Sequence, residues 1–507
     1  MPSVNFPSGA PSEHLGLSHW MDRSLKELDR ILEHPDPYTV HDLRVALRRC
    51  RSLAATLSEV DSDRAWHRMR KTAKALFRRL GQLRDTQVME EWVDRLGPEG
   101  DPVRIRLHAD FEQKLRVLSQ DALEAAHKFD RRQWRHLERH LARRARLVPP
   151  GGLAAECLAL ERLETARELH TRALRSEKPG PWHELRIALK RFRYTAEALL
   201  PVQHAAWSSD LKRLQDLLGE IHDLDVLAAL VRSTEASESD DASPWPEILH
   251  RERRSRVDTY RQLTLGKTGL PQVWRHALPS NGRLETAVMS RIRATARAGD
   301  PHPRRTAQTS RVALGLFDAL ARSEAAPLFE QSENRRILRV AARLQGAALQ
   351  KSGKHPQKAA RKFLLHLPIP PGWSSDDWNL VAWVLRYHRG PEPKRKHRAF
   401  QELSPGSQRQ ILSLAGILRL ARALRKSGLR TGVGIRPVVL SEVLSLHIPQ
   451  LEASAASAAR LAAAKHLLES ALDRPLVLQR AEPARVVPLT VTPAQPEAPQ
   501  PLAVASD

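Results

Sequence analysis

The sequence predicts a mainly α-helical protein in two regions, with a small α+β appendage after the second. Three observations lead there. Apolar residues recur three and four apart from Leu15 to about Arg261 and again from Thr306 to about Gly428. Strand signals are nearly absent from the first of these regions, and one eleven-residue segment occurs twice within it. At 507 residues the chain exceeds one ordinary core, at roughly 150 residues per domain, so at least two folding units are expected.

In the first region the breaks fall at Pro35 to Pro37, Gly97 to Pro102, Pro149 to Gly152, Pro179 to Pro181 and Ser233 to Pro246. Each is a Pro, Gly or Ser-Asp cluster suited to a turn. A Gly-Asp-Pro-His-Pro linker at Gly299 to Pro303 opens the way to the second region, which is expected to have its own core. Gly432 to Val477 mixes short β-branched runs with one Ala-rich helix, Glu452 to Leu472, and reads as the α+β appendage. From Ala481 the chain is Pro-rich and poor in aromatics, the composition of a disordered tail.

Lys and Arg number 82 against 58 Asp and Glu, a formal net charge of +24. Such an excess implies a polyanionic partner: nucleic acid, polyphosphate or anionic lipid. Cys50 and Cys157 are the two cysteines, too few for a disulfide framework or a zinc site. No segment approaches the ~18 apolar residues of a membrane span, and no basic stretch followed by an apolar run opens the chain. A cytoplasmic protein without a membrane partner is expected.

The repeat is the strongest signal. HDLRVALRRCR begins at His41 and HELRIALKRFR at His183, identical at seven of eleven positions. LGQLRDTQV from Leu80 and LGEIHDLDV from Leu218 follow at nearly the same offset, so two homologous halves stand in tandem. At about 100° per residue, His41, Arg44, Arg48 and Arg51 share one stripe of a helix while Leu43, Ala46, Leu47 and Cys50 lie opposite. His183, Arg186, Lys190 and Arg193 make the same stripe in the second copy. Cations at this spacing repel one another unless an anion neutralises them. Guanidinium forks take phosphate oxygens two at a time and Lys adds a point charge, so an extended phosphate chain suits the stripe. A solvated basic face is the alternative, and the duplication counts against it. Gly81 and Gly219 can end one helix, and Asp85 and Asp223 can cap the next. Arg84 adds a cation that helix punctuation does not explain, with His222 in its place in the second copy. Lys74 and Lys212, at matching offsets, extend the set.

These motifs resemble the CHAD family, named for a conserved-histidine α-helical domain, over about residues 12 to 265, with halves of about 12–148 and 152–265. The resemblance implies two similar four-helix bundles around a basic groove that binds inorganic polyphosphate. Carried onto matching positions it implicates His41, Arg44, Arg48, Arg49, Arg51, His183, Arg186, Lys190, Arg191 and Arg193. The ExExK strand motif of the triphosphatase tunnel that often accompanies such domains is absent from the sequence.

The second region is similar to the C-terminal HD-like domain of exopolyphosphatase and guanosine-pentaphosphate phosphatases, over roughly residues 306 to 480. LRYHR from Leu385, Pro393, Lys396, His397, LAGILRLARAL from Leu414 and VALGLFDAL from Val312 occur in the right order. The metal-binding His, His-Asp and Asp of an active HD domain map onto Gln308, Gln345-Gly346 and Arg422, and a cation in place of a ligand repels a metal ion. A degenerate domain without metal is therefore expected, with Lys354, His355, Arg386, His388, Arg389 and His397 as a secondary anion site. The actin-like catalytic half of those phosphatases has no counterpart in the chain.

No nucleophile paired with a base, Walker loop or cofactor motif is present, so catalysis and cofactors are not expected. Inorganic polyphosphate is the expected partner, with polyphosphate granules as the cellular setting. Nucleic acid ranks second, because aromatic residues make up only 5% of the chain and few are interleaved with the basic stripes. A phosphohydrolase with residual activity is the remaining alternative.

Overall fold

The computed structural model describes residues 16–235, 243–323, 327–347, 356–394, 396–440, 442–449, 451 and 454–481. The tail beyond Ala481 lies outside them, as do Lys354 and His355. The described residues form the helical protein expected, with one small sheet.

The first half runs α1 (Leu17–Glu33), α2 (Pro37–Leu57), α3 (Arg64–Thr72), α4 (Lys74–Leu96), α5 (Pro102–His127) and α6 (Arg131–Ala145). The second runs α7 (Leu153–Leu174), α8 (Pro179–Leu199), α9 (Pro201–Glu235), α10 (Trp245–Thr264) and the short α11 (Leu270–His276). The two sets follow one order, with α8 carrying the second copy of the segment on α2, and α9 spanning what α3 and α4 share between them. Local chemistry starts these helices where the sequence punctuates them. Asp36 accepts from Thr39 N at 2.7 Å while Thr39 Oγ1 accepts from Asp36 N at 3.1 Å, a reciprocal cap on α2 with Pro37 in its first turn. Asp101 caps α5 through Arg104 N at 2.8 Å and also accepts from Trp245 Nε1 of α10 at 2.8 Å, so one carboxylate ends a loop and ties the halves together.

The halves do not keep separate cores. Leu43, Leu47 and Cys50 of α2 and Leu185, Leu189 and Phe192 of α8 belong to one apolar cluster. Burying both apolar faces against each other leaves the two cationic stripes on neighbouring surfaces. A smaller cluster of Trp92, Val93, Leu107, Phe111, Leu227 and Trp245 closes one end, where α4, α5, α9 and α10 meet.

The C-terminal region is built from α12 (Asn281–Gly299), α13 (Pro303–Ala321), α14 (Ser332–Leu344), α15 (Pro356–Leu365), α16 (Ser375–Tyr387), the four-residue α17 (Arg398–Gln401) and α18 (Pro405–Lys426). Then come β1 (Arg436–Val439), β2 (Leu444–Ile448), α19 (Ala455–Leu472) and β3 (Leu476–Arg480), in sheet order β1-β2-β3. The β1 and β2 strands pair antiparallel, β2 and β3 parallel. The appendage is not a separate body: Leu444, Leu446, Leu468 and Leu476 share a cluster with Leu316, Leu385 and Leu418. Helix α19 crosses α18 so closely that a Cβ on Gly416 would lie 2.9 Å from the backbone of Leu468. The same core takes in Ala287, Val288 and Ile292 of α12, which precedes Thr306, and Cys157 of α7. Arg291 of α12 and Glu161 of α7 form a buried pair at 3.0 Å beside Cys157. No helix among the described residues is long and apolar enough to cross a membrane.

Candidate polyanion-binding groove

The two stripes face one cavity of about 1170 Å³ between α2, α4, α8 and α9. His41, Arg44, Arg48 and Arg51 line it from the first copy, and His183, Arg186, Lys190 and Arg191 from the second. Arg84 and His222, the paired variants within the LGxxxD elements, line it as well.

Those LGxxxD elements do not punctuate helices. Gly81 and Asp85 sit inside α4, and Gly219 and Asp223 inside α9. The expectation of a helix end and a new cap is corrected by what the groups do in α4: Arg44 donates to the Gly81 carbonyl at 2.8 Å and to Asp85 Oδ1 at 3.0 Å. The motif holds a groove arginine against its wall. In the second copy, Asp223 bears on Arg186 in the same sense, but the Arg186 guanidinium makes neither a hydrogen bond nor an ion pair among the described residues, and its Nε is buried without a partner.

Of the remaining first-copy cations, Arg48 and Arg51 are oriented by neutral groups and Arg84 by a carboxylate. Arg48 donates to Tyr194 Oη at 3.3 Å, across the seam between the halves. Arg51 donates to the Arg70 carbonyl at 2.8 Å and lies over the Phe77 ring at 4.7 Å. Arg84 pairs with Glu91 at 2.8 Å.

Burial and mutual repulsion set the charge states. Among the described residues Lys190 has no ion-pair partner; burial, then the charges of Arg186, Arg48 and Arg44, push its ammonium down to about 7. Burial, then Arg186 and His183, push His222 down to about 4, and its Nδ1 stands 3.3 Å from that of His183. Burial first and Arg84 second hold His41 below the ordinary imidazole range. Burial raises Asp223, against the pull of Arg186 and Lys190. A site that suppresses the protonation of its own lysine is short of negative charge.

Four residues of the expected set lie elsewhere. Arg49 pairs with Glu197 at 2.7 Å and stacks on the Trp20 ring at 4.0 Å, away from the cavity lining. Arg193 keeps it company, its charge bearing on Glu197 and His204. The reason for the difference between Arg49 and Arg191 is readable in the repeat. Glu197 is the second-copy counterpart of Ala55, so Arg191 has no carboxylate to turn towards and stays on the groove. Lys74 and Lys212 are exposed on α4 and α9 and do not line the cavity. Residues outside the repeated segments complete the lining, among them Arg70, Lys114, Arg162 and Tyr194. Only the fold brings Lys114 and Arg162 there, from α5 and α7, and no local motif marks them.

In the C-terminal region the expected secondary anion site divides. Arg386 and His397 line a cavity of about 470 Å³. His388 does not: it is 1% exposed, its Nδ1 meets the Leu385 carbonyl at 2.7 Å, and burial pushes it down to about 3. Arg389 does not line it either; burial first, then the charges of Arg422 and Arg425, lower it to about 10. Of the positions where HD ligands map, Gly346 abuts the Asp300 carboxylate, and Arg422 stands with Arg389. Among the described residues no three His, Cys, Asp or Glu side chains converge as a metal site requires.

The family model of the CHAD domain matches residues 17–232. That of the Ppx/GppA phosphatase domain III matches residues 301–436. The chain joins a CHAD domain to a Ppx/GppA domain III. CHAD domains are known for polyphosphate binding. Comparison with curated proteins gave no significant match.

Proposed function

We propose that the chain binds inorganic polyphosphate in the CHAD groove, as a binding protein and not as a catalyst. One observation carries the reading: the cations of two repeated helices converge on a single cavity in which Arg186 and Lys190 have no counter-charge within ion-pair reach among the described residues. Lys and Arg in the lining number ten against three carboxylates, Glu59, Asp85 and Asp223. An extended chain with a negative charge on every phosphate matches such a groove by charge and by length. It needs no aromatic stacking, which bases of nucleic acid would use; the aromatic rings in the lining are Phe77, Phe111 and Tyr194, and Arg51 already lies over that of Phe77. The cellular setting we assign is the cytoplasm, at polyphosphate granules.

The test is binding of labelled long-chain polyphosphate to the full chain and to an Arg48→Glu, Lys190→Glu variant, with duplex DNA as competitor at fixed salt. We expect DNA-resistant binding that falls by at least about a hundredfold in the variant, two charge reversals at roughly 1.5–3 kcal/mol each. Equal binding by both proteins, or displacement by DNA at matched phosphate concentration, overturns the reading.

A further inference from the structure

Outside the groove, α3 and α6 lie side by side and antiparallel. Asp63, the N-cap of α3, meets His140 at 3.1 Å at one end, and Thr72 donates to Gln133 at the other. Trp66 and Met69 of α3 and Trp134, Leu137 and Leu141 of α6 point into the core. On the outward side, at one-turn spacing, α3 exposes Arg64, Arg68 and Lys71, and α6 exposes Arg132, Arg135, Arg139 and Arg143. Helix α3 contains no Asp or Glu, and the single carboxylate of α6, Glu138, is half-buried. Among the described residues none of these seven cations makes an ion pair or a side-chain hydrogen bond, and none lines the groove.

The second half folds without these charges. In the register that pairs Leu80 with Leu218, buried Met69 matches buried Trp207, and Arg64, Arg68 and Lys71 match Val202, Ala206 and Ser209, all exposed and uncharged. Trp134 of α6 matches Trp274 of α11, each fully buried and each followed by Arg-His. The counterpart of Arg135, Arg275, is neutralised by Glu164 at 2.7 Å. Helix α11 then ends at His276, before any counterpart of Arg139 or Arg143. Packing the core does not require the two rows, and like charges so spaced cost stability when nothing neutralises them.

We propose that this face of α3 and α6 is a docking surface for double-stranded nucleic acid, held through its phosphates without regard to sequence. Cations recur about every 5.4 Å along each helix, and packed helices stand roughly 8–10 Å apart. A duplex offers the matching pattern, two phosphate rows bordering grooves about 6 and 12 Å wide, with one charge per roughly 1.7 Å of axis. A single flexible chain, whether polyphosphate or one nucleic-acid strand, follows one row at a time. Neither helix exposes a Phe, Tyr or Trp ring on which unpaired bases would stack. The assignment stands independently of the groove, since it shares no residue with it.

The experiment is fluorescence anisotropy of a labelled, mixed-sequence DNA duplex of about 20 base pairs with the full chain at several salt concentrations. The expected log K falls with log salt at a slope of about −4 to −6, near −0.9 for each of four to seven phosphates. Arg68→Glu with Arg139→Glu should weaken the duplex at least about tenfold and make the slope shallower by about two. Both side chains are exposed, so the melting temperature should hold. Arg48→Glu with Lys190→Glu, in the groove, should leave duplex affinity within about twofold. One strand of the same sequence, at equal phosphate concentration, should bind at least about fivefold more weakly. No duplex binding, single strand and duplex bound alike, or duplex affinity unchanged by the first variant or lost in the groove variant instead, overturns the proposal.

Discussion

At the scale of single residues, Lys190 has the most measurable consequence. Its ammonium is pushed down to about 7 by burial and by Arg186, Arg48 and Arg44, with Asp223 opposing them. A bound polyanion restores the missing counter-charge and raises that value. The lysine's contribution to affinity is therefore fully present below about pH 7 and is lost as pH rises through the higher bound-state value. We expect polyphosphate affinity to fall between about pH 7 and 9 with uptake of a proton on binding, read by titration calorimetry in buffers of different ionisation enthalpy. Lys190→Arg, whose guanidinium stays charged throughout, should flatten the profile; an unchanged slope in that variant would place the titration elsewhere. Other single residues show how far a sequence can be read. The period of the helix predicted the faces of His41, Arg44, Arg48 and Arg51, and all four line the groove. Arg49 stands off that stripe by about 100° from Arg48, and its destination depended on Glu197, a residue of the other half. No pattern within its own helix encodes that partner.

At the scale of elements, the glycines of α4, α9 and α18 separate two uses of one residue. Gly219 lies inside α9, and a Cβ there would meet nothing within 4 Å. Gly416 lies inside α18, and a Cβ there would come within 2.9 Å of Leu468 Cα and N, atoms that cannot give way without moving α19. The same substitution should thus have opposite signs. Gly219→Ala removes backbone freedom from the unfolded chain and should stabilise by about 0.5–1 kcal/mol, whereas Gly416→Ala overpacks a helix crossing and should destabilise by about 1–3 kcal/mol. Chemical denaturation of the two variants decides it, and a loss of stability in Gly219→Ala would mean that α9 needs its glycine for something other than helix packing. The sequence marked Gly81 and Gly219 as helix ends because glycine ends helices more often than it sits inside them. Tertiary structure won at Gly81, whose carbonyl is where Arg44 is anchored. Proline-based breaks were read correctly at α2, α5 and α8, where Pro occupies the first turn. The break at Ala73 between α3 and α4 carries neither Pro nor Gly, and nothing local announces it.

At the scale of the molecule, duplication converts one weak basic helix into a groove. A single stripe in water would be screened within a Debye length of about 8 Å at physiological salt. Two stripes facing each other across one cavity, over a shared apolar core, repel one another, and an anion between them would offset that repulsion. The repeat made this pairing legible, but not the extent of the lining, because α5 and α7 contribute Lys114 and Arg162 from outside it. The same architecture fixes how binding must respond to salt and to ligand length. If four to six phosphates are neutralised along the groove, log K should fall with log salt at a slope of about −3 to −4, near −0.7 per phosphate for a flexible single chain. Arg48→Glu should make the slope shallower by about one. Each phosphate beyond those the groove can hold adds little contact energy, so affinity per chain should climb steeply from triphosphate to chains long enough to span both stripes, and then flatten. Binding measured across a ladder of chain lengths at two salt concentrations reads both quantities at once. A triphosphate that bound as tightly as a long chain would confine the ligand to one stripe, and the convergence of the two copies on one cavity would then serve the fold instead of the ligand.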